Sequence, residues 1–283
     1  YTNGTINAKV TDGATTTVAV TNTYERKTGV SLKLKGTKHL DGVAATTPFD
    51  FSWSVSPAAN ATPASGTMQN DSTGAFDTGA ITFSEDGTYT VTVTETVGEN
   101  ADVTIDYDTE TTYEITVIVA ENGTNYSISS VTGATKDTSI TTGTPEYTID
   151  FAEDKDATFE NRTKKGDLTL TKTLAGTWGS DTPEVTFTVK NAANETIGTY
   201  TLPADFDKTN NVYTLKATKA AELHDLTIGT YYVTETAQDP DGYYHSATYE
   251  VTTTDTAETE LPSGTYTNGT INAKVTDGAT TTV

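Results

Sequence analysis

Apolar side chains recur at every second position through most of the chain. Val30, Leu32 and Leu34 alternate with polar residues, as do Phe51, Trp53 and Val55, then Tyr89, Val91 and Val93, and later Leu168 and Leu170. Successive side chains of a β-strand point to opposite faces, so this alternation predicts half-buried strands. Strands are expected over 30–38, 49–55, 80–84, 87–96, 112–119, 125–131, 146–151 and 157–162. A second series is expected over 167–174, 184–191, 196–202, 212–217, 229–236, 243–252 and 270–276. Turn-forming pairs punctuate them: Asp41-Gly42, Asp86-Gly87, Asn122-Gly123 and Thr142-Gly143. Only 208–226 and 254–261 read as short helices, with 218–226 open to being an irregular crossover. Two series of seven or eight short antiparallel strands predict an all-β chain of two tandem immunoglobulin-like β-sandwich domains.

A repeat changes what those domains mean. Residues 1–18, YTNGTINAKVTDGATTTV, recur letter for letter at 266–283, an offset of 265 residues. Chance does not produce such a match. The chain reads as slightly more than one period of a tandem array of near-identical units, and arrays of that kind serve length and reach. Duplication during preparation of the chain is the alternative. On the array reading, 1–28 are the closing strands of a preceding second-type domain. Residues 29–163 form the first sandwich, and 164–283 form the second, which lacks its last strand. The joints Glu25–Gly29 and Lys164–Gly166 are too short to be flexible linkers, so successive domains should lie nearly in line.

Composition narrows the function. The chain carries 39 acidic against 17 basic side chains, a net charge of −22, which argues against nucleic acid or an anionic membrane as partner. Zero cysteines exclude disulfides, thiol nucleophiles and thiolate metal sites. No apolar run reaches the ~18 residues that cross a bilayer, and no signal peptide is expected in the sequence as it stands. The acidic runs Asp239-Pro240-Asp241-Gly242 and 153–156 match no complete calcium loop, so no metal or cofactor is expected. Trp53 shares parity with Phe49 and Phe51 and belongs in the core, Trp178 sits in a loop, and Leu261–Thr265 reads as a loop as well. The chain must be stable by some means other than disulfides.

Parity supplies a candidate. Continuing the apolar face of 30–38 lands on Lys38, that of 87–96 on Glu95, and that of 157–162 on Asn161. The second series repeats the pattern: Leu168 and Leu170 lead to Lys172, and Tyr231 and Val233 lead to Glu235. Its third member comes from the first copy of the repeat, where Val18 and Val20 lead to Asn22. Burying a lone ammonium or carboxylate costs several kcal/mol, so these groups need a reason to face inward. One reading is a buried ion pair with an amide, or strands that end at the surface. The other is covalent. In an apolar pocket the lysine and the glutamate both move toward neutrality, and a neutral amine can attack an asparagine carbonyl. The product is a Lys–Asn isopeptide bond.

The same residues carry a family resemblance. The runs KGTKHLDG, GTYTVTVTET, IDYDTETTYEITV and TFENRT resemble the isopeptide-containing domains of Gram-positive major pilins and repetitive surface adhesins. LTLTKTLAG, LTIGTYYVTET and DPDGYYHSATYEV resemble the CnaB-type variant. The resemblance implies a bond from Lys38 to Asn161 with Glu95 as proton relay, and a bond from Lys172 to an asparagine assisted by Glu235. At the 265-residue offset that asparagine falls four positions beyond Val283, so Asn22 of an adjacent repeat or chain is its candidate. The implied role is a stalk, pilus or fibre segment outside the cell, attached to the cell surface or within a surface filament. Its partners would be neighbouring repeats or head-to-tail copies. The chain would not be an enzyme beyond its own single-turnover cross-linking. An adhesive module binding host protein or glycan through its loops is the alternative, and a β-sandwich glycosidase with paired carboxylates is a weaker third.

Overall fold

Threonine, tyrosine and the branched aliphatics fit a pleated, half-buried surface, and strands dominate the computed structural model. It describes residues 5–99, 101–109, 112–133, 139–143, 146–150, 159–176 and 183–283. Trp178, the start of the strand expected at 157–162, and the acidic run 153–156 lie outside them.

Buried apolar side chains gather in two clusters. The first draws on residues between Val30 and Phe159, the second on residues between Leu168 and Val275. Around the first cluster an antiparallel sheet runs in the order Asn125–Thr132, Thr112–Asn122, Gly87–Thr96, Asp50–Ser56, Ser65–Gln69. The sheet facing it is organised by one long strand, Val30–Leu40. That strand pairs antiparallel with Ile81–Phe83 and Ala75–Asp77, and parallel with Glu146–Asp150 and then Phe159–Thr163. Aromatic rings bridge the two sheets: Phe51 stacks on Phe76 at 4.5 Å, and Phe159 meets Tyr113 edge-on at 4.7 Å. The opening and closing strands of this core are therefore parallel neighbours.

The alternation governs which side chains enter the core. Along Val30–Leu40 the inward positions are Val30, Leu32, Leu34, Gly36 and Lys38. Gly36 interrupts the series because the Phe76 ring lies against its Cα, where a Cβ would overlap it. The strand also runs two residues further than its periodicity suggests. Its end is held across the Asp41-Gly42 turn by Val43–Ala44 and on its other edge by the closing strand, so distant pairing extends it. Trp53 is buried, as its parity requires.

The second cluster repeats the plan. One sheet runs Thr196–Leu202, Val185–Lys190, Gly229–Ala237, Ile271–Val275. Opposite it, Lys165–Thr169 pairs parallel with Thr280–Thr282, and Thr171–Thr173 pairs with Val212–Leu215. The single strand expected over 167–174 is thus two, divided at the buried Leu170 as the chain changes partners. The helix expected within 208–226 shrinks to Ala217–Ala220 and a 3-10 turn Ala221–Leu223, and 254–261 holds a turn rather than a helix. Leu261–Thr265 is not all loop, since Ser263–Tyr266 pairs with Ala247–Glu250. Residues 5–27 form no strand and are exposed apart from the half-buried Lys27. Between the clusters, Arg162 grips the Asp277 carboxylate with both terminal nitrogens, at 3.0 and 2.6 Å.

Gly36→Ala should force the Phe76 ring off Phe51 and lower stability by about 1–3 kcal/mol, the usual cost of overpacking. Thr37→Ala, on the outward face of the same strand, should stay within about 0.5 kcal/mol. Urea denaturation of the two variants checks the parity assignment.

Candidate functional site

At the end of the first apolar face, Lys38, Glu95 and Asn161 come together. Lys38 is carried in by the opening strand, Glu95 by Gly87–Thr96 on the facing sheet, and Asn161 by the closing strand. All three are buried, Lys38 and Asn161 to 0% exposure. The parallel register sets Lys38 opposite Phe159 and Leu40 opposite Asn161. Lys38 Nζ donates to Glu95 Oε2 at 2.7 Å, and Asn161 Nδ2 donates to Glu95 Oε1 at 2.8 Å. One carboxyl group therefore bridges amine and amide.

Three further groups complete the site; parity put Phe49 in the core but did not tie it to the lysine, and periodicity did not mark the other two. The backbone N–H of Asp108 donates to Asn161 Oδ1 at 2.7 Å, so the amide carbonyl is polarised by a fixed dipole. The Phe49 ring centroid lies 5.0 Å from Lys38 Nζ and walls the amine from water. Buried Asn70 pins the Phe49 loop, accepting from Phe49 N–H at 2.7 Å and donating to the Thr47 carbonyl at 2.9 Å. The run IDYDTETTYEITV carries part of the family resemblance, but nothing in it singles out the N–H of Asp108.

Burial pushes the Lys38 amine below its ordinary value of 10.5, against the opposing pull of Glu95. Burial likewise pushes Glu95 above its ordinary 4.5, against hydrogen bonds from Lys38 and Asn161. Both shifts favour a neutral amine beside a protonated carboxyl. An amine in that state is nucleophilic, and the carboxyl can move protons.

The turn after the opening strand locks the closing strand in place. Asp41 accepts from Thr163 N–H at 2.8 Å and Oγ1 at 2.6 Å, Asp41 N–H donates to the Asn161 carbonyl at 3.0 Å, and Gly42 N–H donates to Glu160 at 2.7 Å. The Thr163 hydroxyl and N–H hold the Asp41 carboxylate below its ordinary range.

The second core holds two of the three expected residues together. Lys172 Nζ lies 2.8 Å from each oxygen of Glu235, with side-chain exposures of 15% and 9%. Glu235 faces Phe187 across the sheet just as Glu95 faces Phe51. Tyr266 adds a support that sequence did not flag, its hydroxyl accepting from Glu235 N–H at 2.7 Å. Asn22 is not there: it lies in the exposed stretch 5–27, and among the described residues no hydrogen bond joins it to Lys172 or Glu235.

Residues 34–164, which contain Lys38, Glu95 and Asn161, match the FctA family, described as a Spy0128-like isopeptide containing domain. This part of the chain is thus similar to pilin-type isopeptide domains, in line with the resemblance drawn from its motifs. Among solved structures, the chain is similar to the major pilin of Streptococcus pyogenes at 16% identity, covering 90% of this chain and 96% of that one with a TM-score of 0.49. A second Streptococcus pyogenes major pilin gives 16% identity, 90% and 97% coverage and a TM-score of 0.43. The Bacillus anthracis TIE protein gives 14% identity, 90% and 46% coverage and a TM-score of 0.35. No curated protein matches the chain.

Asp41→Asn should weaken the clamp on the closing strand by about 1 kcal/mol at neutral pH, the worth of a typical hydrogen bond, since water screens the exposed carboxylate. A depressed carboxylate stabilises above its unfolded value and loses that contribution as pH falls through its folded value. The difference between Asp41→Asn and the parent should therefore shrink below the ordinary 3.8, read by urea denaturation at pH 7 and pH 3.

Proposed function

We propose that the chain is a structural unit of an extracellular stalk, pilus or fibre, stiffened by Lys–Asn isopeptide bonds that it forms itself. The observation that carries this is the buried triad in which Glu95 bridges Lys38 and Asn161. The neutral Lys38 Nζ attacks Asn161 Cγ, forming the new C–N bond. The Asp108 N–H holds the developing charge on Oδ1. Glu95 takes a proton from the lysine nitrogen and delivers one to the departing Nδ2. The Cγ–Nδ2 bond breaks and ammonia leaves, so each bond costs the chain one ammonia and needs no cofactor. The reaction runs once, so the chain is not a turnover enzyme.

The mechanical role follows from position. Lys38 lies at the end of the opening strand and Asn161 on the closing strand beside it. Tension entering through one leaves through the other across an amide, without loading the strands between. As a chain cross-link closing a loop of about 120 residues, the bond would remove roughly 5 kcal/mol of unfolded-state entropy. The 265-residue repeat suits such a role, each period contributing two sandwiches, 29–163 and 164–283, to a cell-surface filament. Neighbouring repeats or head-to-tail copies are the natural partners.

Intact mass tests the chemistry. The wild-type chain should weigh one ammonia less than its sequence, and Glu95→Ala should restore the full mass and lower the melting temperature. A wild-type mass equal to the calculated value would falsify the covalent reading.

Bond formation should also depend on pH at both ends. Lys38, with its lowered value, must lose its proton, so the rate falls as pH drops through that value, below 10.5. Glu95, with its raised value, must keep its proton, so the rate falls as pH rises through that value, above 4.5. Chain made by cell-free synthesis, refolded across a pH series and weighed, should give a profile with a maximum between the two. A rate that climbs without limit toward alkaline pH contradicts a protonated Glu95.

A further inference from the structure

The segment that carries Asp108 runs antiparallel to the closing strand. Ile105–Asp106 pairs with Arg162 and Thr163, Asp106 lying opposite Arg162. Lys164 N–H donates to the Thr104 carbonyl at 2.7 Å, which makes 104 and 164 a hydrogen-bonded pair. In an antiparallel ladder such pairs recur at every second residue, so 106 with 162 and then 108 with 160 come next. A regular ladder would tie the N–H and carbonyl of Asp108 to the backbone of Glu160.

The chain does something else there. Thr109 N–H donates to the Tyr107 carbonyl at 2.9 Å, a tight turn centred on Asp108. The Asp108 N–H is aimed at Asn161 Oδ1, and the Glu160 N–H donates to Asp108 Oδ2 at 3.3 Å. The carboxylate has taken the place of a ladder carbonyl. Without that acceptor the Glu160 N–H would draw on the Asp108 carbonyl, as the register dictates, and the Asp108 N–H would leave the amide.

The rest of the segment holds this turn in place. Asp102 accepts from the Thr104 N–H at 2.9 Å and hydroxyl at 2.7 Å, and the Tyr107 hydroxyl accepts from Asp102 N–H at 3.0 Å. The Tyr107 ring meets Phe49 edge-on at 5.9 Å, and Phe49 is the ring that walls Lys38. Asp108 also acts through space. Its charge raises the Lys38 amine and the Glu95 carboxyl alike, favouring the protonated carboxyl and opposing the neutral amine. The other charged groups on the elements packed there are Glu160 and His39, 3.7 Å apart, Asp106 and Arg162, 3.0 Å apart, Asp102, and Asp41 in the turn. Substitution at 108 leaves all of them in place.

We propose that the Asp108 carboxylate is a positioning residue for the cross-link: by taking the Glu160 N–H it frees the N–H of its own residue to hold the Asn161 amide, and its negative charge acts on amine and carboxyl together. It forms no bond to the reacting atoms. It fixes which end of the amide meets the backbone dipole and which end meets Glu95, so that the face of Asn161 Cγ stays open to Lys38 Nζ. The role rests on the isopeptide reading above.

Full-length chain made by cell-free synthesis, refolded from urea across a pH series and weighed at intervals, tests this. At the parent's optimum Asp108→Ala should lose ammonia about 100-fold more slowly, the cost of a reacting group an ångström out of place. Asp108→Asn keeps an oxygen for the Glu160 N–H and should recover most of that rate. With the charge gone, amine and carboxyl both titrate lower, so the Asp108→Asn profile should move to lower pH, ahead of the parent on the acid limb and behind it on the alkaline limb. Damage to folding alone would slow the reaction at every pH and leave the profile in place; circular dichroism of each variant should match the parent's. An Asp108→Ala chain that cross-links at the parent's rate overturns the proposal, as does an Asp108→Asn chain no faster than Asp108→Ala or one whose profile does not move. A parent that keeps its full mass removes the isopeptide reading itself, whereas a parent that loses ammonia beside unaffected variants removes only the role of Asp108.

Discussion

A lysine amine and a glutamate carboxyl taken out of water within the same core constrain everything around them. Each alone would be costly there, and only partners with the right geometry make the arrangement tolerable. The molecule meets this by gathering amine, carboxyl and amide on three strands from both sheets and closing the space with Phe49, Phe51 and Phe159. The same desolvation that makes the charged states unfavourable makes the neutral states reactive. Stability and chemistry at this point are one electrostatic fact.

The parallel pairing of opening and closing strands is the second requirement. A parallel pair cannot be joined by a hairpin; it needs the whole intervening chain to return. In the first core that return brings Asn161 past Lys38 with a two-residue stagger, and the Asp41-Gly42 turn fastens it there through Thr163 and Glu160. The second core reproduces the parallel start at Lys165–Thr169, so the plan of the fold and the plan of the site are inseparable.

How far sequence revealed this depends on which force placed each residue. Strand faces are set by a local period of two, so Lys38, Glu95, Lys172 and Glu235 could be assigned inward positions from letters alone, and the structure puts both lysine–glutamate pairs in contact. The positions that escaped are those set by chain returning from far away. The Asp108 N–H matters through its backbone, which carries no letter, and Asn70 looks like any loop asparagine until its bonds to Phe49 and Thr47 are seen. Gly36 breaks the apolar series for a reason that sits forty residues downstream, in the ring of Phe76. Short strands such as Ala75–Asp77 and Thr280–Thr282 are too brief for periodicity and exist because a long neighbour offers its edge. The helix expected at 254–261 failed because a run of acidic and small residues satisfies composition without an apolar stripe to dock.

Adjacent parallel ends have a consequence for the connectivity of the polymer itself. If Lys38 and Asn161 are joined as proposed, the backbone becomes a ring of residues 38–161 with two tails leaving from neighbouring points. A single peptide-bond cut anywhere in that ring opens it without parting the tails. The exposed turns at Asp41-Gly42 and Asn122-Gly123, where proteases find their easiest purchase, both lie inside the ring. A filament made of such rings would keep its contour through one nick per ring, and its loops would be free to vary in ways that a linear load-bearing chain would not survive.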